Sequence, residues 1–183
     1  MKEKASTIVI DFGASLIRLG YFAYPGGKPC ITWGKKGSNS TLSMSSCFWV
    51  STNRKEIFIG KKPPGKPVKN RYIFFEDLPG VLEQTTYLEI SGSKFPLQKV
   101  LKKYFLTFKK KLSELGISRI KNCIFLVSNK FSHFFKKQVT QVCNGINWPK
   151  PVFYSFSYVV LKSLLQEKVI TNRKNKESDN FVT

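Results

Sequence analysis

Acidic residues are scarce in this sequence: 11 Asp and Glu stand against 31 Lys and Arg, a formal net charge of +20. Such an excess invites a polyanionic partner, nucleic acid or an acidic surface. Arginine, however, is scarce as well, represented only by Arg18, Arg54, Arg71, Arg119 and Arg173. Base edges and phosphate forks favour its planar, bidentate donors over the point charge of lysine. The lysines are dispersed from Lys2 to Lys176, with short clusters at Lys61–Lys69, Lys102–Lys111 and Arg173–Lys176. The expectation is non-specific polyanion binding in dilute salt. Histidine occurs once, as His133, and the four cysteines (Cys30, Cys47, Cys123, Cys143) form no Cys-x-x-Cys pair. Zinc chemistry and Cys–His catalysis are therefore poorly supplied, and buried reduced thiols are expected. No run of about 18 apolar residues appears, so no membrane span is expected. Met1–Ser6 passes directly into a strand-like run with no signal-peptide apolar region, which points to a cytoplasmic protein.

What is present is the material for a folded core, with 42% hydrophobic and 14% aromatic residues in 183. Thr7–Asp11 and Leu16–Ala23 read as strands, Pro25–Lys28 as a hairpin turn and Pro29–Trp33 as a third strand. Gly34–Ser46 is polar and reads as loop, Cys47–Thr52 and Glu56–Ile59 as short strands. Gly60–Asn70, "GKKPPGKPVKN", is expected to be an exposed basic loop, because its three prolines break any ladder or helix. Val81–Lys94 suggests a strand pair built on Tyr87–Ile90 with Ser91–Ser93 as the turn. Phe95–Leu115 carries Val100, Leu101, Tyr104, Phe105, Phe108 and Leu112 at helical spacing, with Gly116 as its stop. Ile120–Val127 reads as a buried strand, Ser132–Cys143 as a helix with a serine N-cap, Pro151–Tyr154 as a strand and Ser157–Gln166 as a helix. Hairpins followed by strand–helix–strand–helix predict a mixed α/β domain. Trp33, Trp49 and Trp148 offer stacking surface, but no aromatic–basic alternation marks an RNA-binding sheet.

Four segments carry a resemblance: "TIVIDFGASLIRLGYF" (Thr7–Phe22), "NSTLSMSSCFWVSTNRKEIFIG" (Asn39–Gly60), "LGISRIKNCIFLVSNKFSHFFKKQVTQVCN" (Leu115–Asn144) and "KPVFYSFSYVVLKSLL" (Lys150–Leu165). In order and spacing they resemble the actin-fold ATPases, and among these the seventy-kilodalton heat-shock chaperones of the DnaK type. The opening also resembles that of actin. The resemblance implies a ribonuclease H-like, actin-like single lobe over 1–171, the first of the family's two, with a polar tail at 172–183. It also implies that Asp11, Gly13, Ala14 and Ser15 stand where the family's first phosphate hairpin binds MgATP. Other family positions are altered. The stretch bearing the family's lysine matches Phe74–Gly80, which holds Glu76 and Asp77 and no cation, and the water-orienting glutamate matches Ser155 between Tyr154 and Phe156. The chain ends where the family's second lobe begins. The expectation is a non-catalytic, chaperone-like pseudo-ATPase with no required cofactor, acting through a protein partner at the surface that would face the second lobe. Two alternatives stand beside it: an ATP-binding piece completed by a separately encoded lobe, and a basic module that binds nucleic acid or an acidic surface.

Overall fold

The computed structural model describes residues 5–23, 30–31, 43–63, 71–128 and 132–163. The expected Pro25–Lys28 turn, residues 34–42 of the polar loop, most of the basic loop (64–70) and the polar tail lie outside the described residues.

Strand β1 (Ala5–Phe12) runs into β2 (Leu16–Ala23) as an antiparallel hairpin, and β2 pairs in turn with β3 (Cys30–Ile31) and β4 (Ser43–Ser45). On its other side β1 pairs in parallel with β10 (Arg119–Val127), and β10 in parallel with β11 (Pro151–Ser155). The mixed six-stranded sheet thus has the order β11-β10-β1-β2-β3, with β4 also on β2. Between β4 and β10 lie β5 (Phe48–Ser51), β6 (Ile57–Ile59) and β7 (Tyr72–Phe75), which form a three-stranded antiparallel sheet. Helix α1 (Leu78–Gln84), the hairpin β8 (Tyr87–Ile90) and β9 (Ser93–Pro96), and helix α2 (Gln98–Glu114) follow. Helix α3 (His133–Gly145) connects β10 to β11, and residues 156–163 form a fourth helix, α4.

Alternation decides which way each strand faces. Ile8, Ile10 and Phe12 on β1, Ile17 and Leu19 on β2, and Cys123, Phe125 and Val127 on β10 are all buried beneath the helices. From α2 come Val100, Leu101, Tyr104, Phe105, Phe108 and Leu112, and from α3 Phe135, Val139, Val142 and Cys143. The meeting point is aromatic. Phe12 lies 6.5 Å from Phe105, 6.4 Å from Phe125 and 5.4 Å from Phe135, while Phe105 stacks on Trp148 at 5.3 Å. The buried residues of every layer join in one cluster.

Three expectations need correction. Ser43–Ser45 is a strand rather than the end of a loop, because Met44 packs against the core and the segment pairs with Leu16–Arg18. The long helix starts at Gln98, not Phe95: Phe95 and Pro96 complete the β8–β9 hairpin, whose Ser91-Gly92 turn takes positive φ at both residues (49° and 69°). That pair of left-handed residues is the twist-matched two-residue hairpin connection. The segment Val81–Gln84 is helix rather than strand, since α1 begins at Leu78, after Asp77 at the N-cap, with Pro79 in its first turn, where a missing N–H costs nothing. No helix among the described residues is long and apolar enough to cross a membrane.

Candidate functional site

The parallel strands β1, β10 and β11 all point their carboxyl ends at one cavity of ≈ 730 Å³. Beyond the carboxyl ends of its strands is where an open α/β sheet holds ligands, because the loops leaving the strands diverge there. Asp11, Phe12, Gly13 and Ala14 enter from the β1–β2 turn, Leu126 to Ser128 from the end of β10, and Phe156 and Ser157 from the start of α4. Helix α1 closes the remaining wall with Asp77, Pro79, Gly80 and Glu83.

Of the four residues placed at a phosphate hairpin by resemblance, Asp11, Gly13 and Ala14 line this cavity; Ser15 is exposed in the same turn and is not part of the lining. What those residues do locally is hold the turn. The Gly13 N–H donates to the Leu16 carbonyl at 3.2 Å, and a Cβ on Gly13 would sit 2.9 Å from that same oxygen. The hairpin itself therefore requires glycine here, and the amide that would reach toward an anion is engaged within the turn. The Ser15 carbonyl accepts from the Ser46 N–H at 3.0 Å, and the Ser46 hydroxyl donates to the carbonyls of Ala14 and Glu76. Ser46 is fully buried and also accepts from the Leu78 N–H at its carbonyl, so one serine ties the β1–β2 turn to the start of α1.

Among the described residues, the charges of the cavity wall are three carboxylates, Asp11, Asp77 and Glu83, against the cation Arg18. Arg18 is paired with Asp11, Nη1 to Oδ2 at 3.1 Å, as their directly opposite positions on β1 and β2 allow. Glu83 lies across the N-terminus of α3, where both its carboxylate oxygens accept from the Ser132 N–H at 3.0 and 3.1 Å. The Ser132 hydroxyl caps the same end, accepting from the Phe135 N–H at 3.2 Å. A helix N-terminus attracts anions through its free N–H groups and dipole; in this chain the anion is its own glutamate. The Asp77 carboxylate fills the space that a Gly80 side chain would take, and its Oδ1 is buried with no hydrogen-bond partner among the described residues. The unsatisfied group of the wall is thus an acceptor, which calls for a donor rather than for another anion.

The two aromatics that flank Ser155 at the end of β11 take different places. Phe156 lines the cavity, whereas Tyr154 stands outside it, 42% exposed on the edge strand β11. Sequence reading missed α1 and with it Glu83 as a wall of the cavity. The signal was present, since Asp77 followed by Pro79 is a helix-start pattern. His133 is the first residue of α3 and exposed, and no group of metal-ligating side chains occurs among the described residues. The chain matches no protein-family model and no curated protein.

Proposed function

We propose that this chain is a non-catalytic lobe of the actin-like ATPase kind, similar to the first lobe of the DnaK-type chaperones, and that it acts by protein–protein contact. One observation carries the reading: among the described residues, every anion-holding device at the cavity already serves the chain itself. The Gly13 amide closes its own turn, Arg18 pairs with Asp11, and the N-terminus of α3 sits on Glu83. A triphosphate entering this cavity meets carboxylates at Asp77 and Glu83, with no unengaged cation among the described residues of the lining to offset them. The strand order, with an antiparallel first hairpin followed by parallel β10 and β11, is in keeping with an actin-like lobe.

The contact surface of this reading begins at the mouth of the cavity. From Val152 to Leu161 the chain exposes Val152, Tyr154, Phe156, Tyr158, Val160 and Leu161, each at 40% or more. A helix that is apolar on all sides belongs inside a larger core, yet α4 presents five apolar side chains with only Ser157 between Phe156 and Leu161. Replacing Tyr158 or Leu161 by Glu tests whether these side chains serve folding or contact. The expected result is a stability change within about 0.5 kcal/mol, as for surface positions. A loss of 2 kcal/mol or more on urea unfolding, on the order of a core deletion, would assign them to the chain's own core and remove the contact surface.

A further inference from the structure

The small sheet β6-β5-β7 has a second face that neither the cavity nor α4 uses. Its inward side is filled by Phe48 and Val50, with Ile57, Ile59, Ile73 and Phe75 packed against the core. The alternate residues therefore point the other way. Trp49 on the central strand stands directly between Phe58 on β6 and Phe74 on β7, and Tyr72 follows Phe74 on the same side. The Trp49 and Phe74 rings lie 4.7 Å apart, and Phe58 meets Tyr72 edge-on at 5.6 Å across the small, buried Ser51. Four aromatic rings from three strands thus stand on one side of the sheet in two contacting pairs; Trp49, Phe58 and Tyr72 are half-buried and Phe74 is 47% exposed. Cross-strand pairing explains their spacing, but it does not call for a large aromatic ring half in water.

The rim is cationic. Arg71 lies 5.5 Å over the Tyr72 ring and Lys103 5.7 Å over Phe58. Arg54 and Lys55 form the exposed β5–β6 turn, and Lys61 and Lys62 leave the end of β6 exposed. Against these stand Glu56, held by Arg71 at 3.4 Å and by the Tyr72 hydroxyl at 2.7 Å, and the exposed Glu76 beyond β7. Two of the chain's five arginines are therefore at this one small sheet.

We propose that the Trp49–Phe58–Tyr72–Phe74 face binds single-stranded nucleic acid, its bases stacking on the rings and its phosphates on the surrounding Arg and Lys side chains. Stacking needs only a π-face, so it tolerates any base, and the mainly lysine rim supplies charge without a base-reading fork. The predicted ligand is an unpaired strand with little sequence preference. A duplex hides its base faces and is predicted to bind far more weakly. The proposal is independent of the cavity and of the contact surface at α4, and sharing no residue with either it stands or falls alone.

The test is fluorescence anisotropy of a labelled homopolymer of roughly 10 nucleotides, the scale of one single-strand binding platform, at about 150 mM salt, where exposed charges are screened beyond about 8 Å. The full chain is expected to bind it at least tenfold more tightly than the matching duplex. Phe74→Ala is expected to weaken binding about tenfold or more, the range of one lost stacking contact. Phe74→Leu keeps apolar bulk on the sheet and should show a similar loss with an unchanged melting temperature, which separates stacking from folding. Full-strength binding by Phe74→Leu, equal binding of the duplex, or no binding of the full chain at this salt would each overturn the proposal.

Discussion

Phe134 and Phe135 are consecutive residues of α3, identical in chemistry and in helix propensity, and the fold treats them oppositely. Phe135 is 0% exposed with its ring 5.4 Å from Phe12, while Phe134 is 42% exposed. Truncating a buried phenylalanine costs about 3–5 kcal/mol through lost burial and the cavity left behind. Burying a whole phenylalanine side chain is worth about 1.5–3 kcal/mol, so the partly buried Phe134 has on the order of 1 kcal/mol to lose. Alanine also regains roughly 0.5 kcal/mol of helix propensity at either position, which cancels when the two variants are compared. The expected difference between Phe135→Ala and Phe134→Ala is therefore about 3 kcal/mol. At 2–4 °C per kcal/mol for a chain of this size, that is a gap of about 10 °C in melting temperature. Urea unfolding followed by circular dichroism measures it directly. Two variants lying within 1 kcal/mol of each other would refute the account of a core centred on Phe12, Phe105, Phe125 and Phe135.

Three further outcomes follow from buried polar groups. Ser46→Ala removes the hydroxyl that holds Ala14 and Glu76 together, and is expected to cost about 1–2 kcal/mol in urea unfolding; an unchanged midpoint would mean that the β1–β2 turn and α1 are joined by other means. Tyr104 donates to the carbonyls of Cys47 at 2.6 Å and Ser45 at 2.9 Å, and burial, with the neighbouring Cys47, holds its hydroxyl protonated well above the ordinary value of 10. The unfolded chain releases that proton first, so stability is full below pH 10 and falls as the pH rises further; Tyr104→Phe should be less stable at neutral pH yet show a shallower alkaline loss, and an identical slope would contradict this. Cys123 is held protonated by its hydrogen bond with Cys143 and by burial, so iodoacetamide should leave both untouched in the native chain and modify both in urea; rapid modification of either without denaturant would refute their place in the core.

The parts legible in the sequence were those governed by a single local rule. β2 was read to the residue and β10 and α3 to within one or two at each end, because hydrophobic period, a serine cap and the glycine after α2 all agreed. The β4 strand was not legible, since Ser43-Met-Ser45 has no strand-like composition and is extended only because β2 offers it a partner. The start of α2 was misread because Phe95 and Leu97 fall in helical phase with Leu101 and Phe105, while the Ser91-Gly92 turn pulls Phe95 and Pro96 into a hairpin. At the cavity, Asp11 and Gly13 could be named in advance, but their engagement could not. That Arg18 pairs with Asp11 depends on strand register, and that Glu83 caps α3 depends on a contact 49 residues distant in sequence. The aromatic face of the small sheet was invisible for the same reason: Trp49, Phe58 and Phe74 are nine and sixteen residues apart and become neighbours only through pairing.

The central claim is that the cavity keeps the geometry of a ligand site while its anion-holding groups are turned to the fold. The melting temperature in millimolar MgATP tests that claim most directly. A ligand at a hundred times its dissociation constant stabilises the native state by about 2.7 kcal/mol, which here would raise the melting temperature by roughly 5–10 °C. The account predicts no rise. A rise of that size, abolished by Asp11→Ala, would contradict it and return the cavity to nucleotide binding.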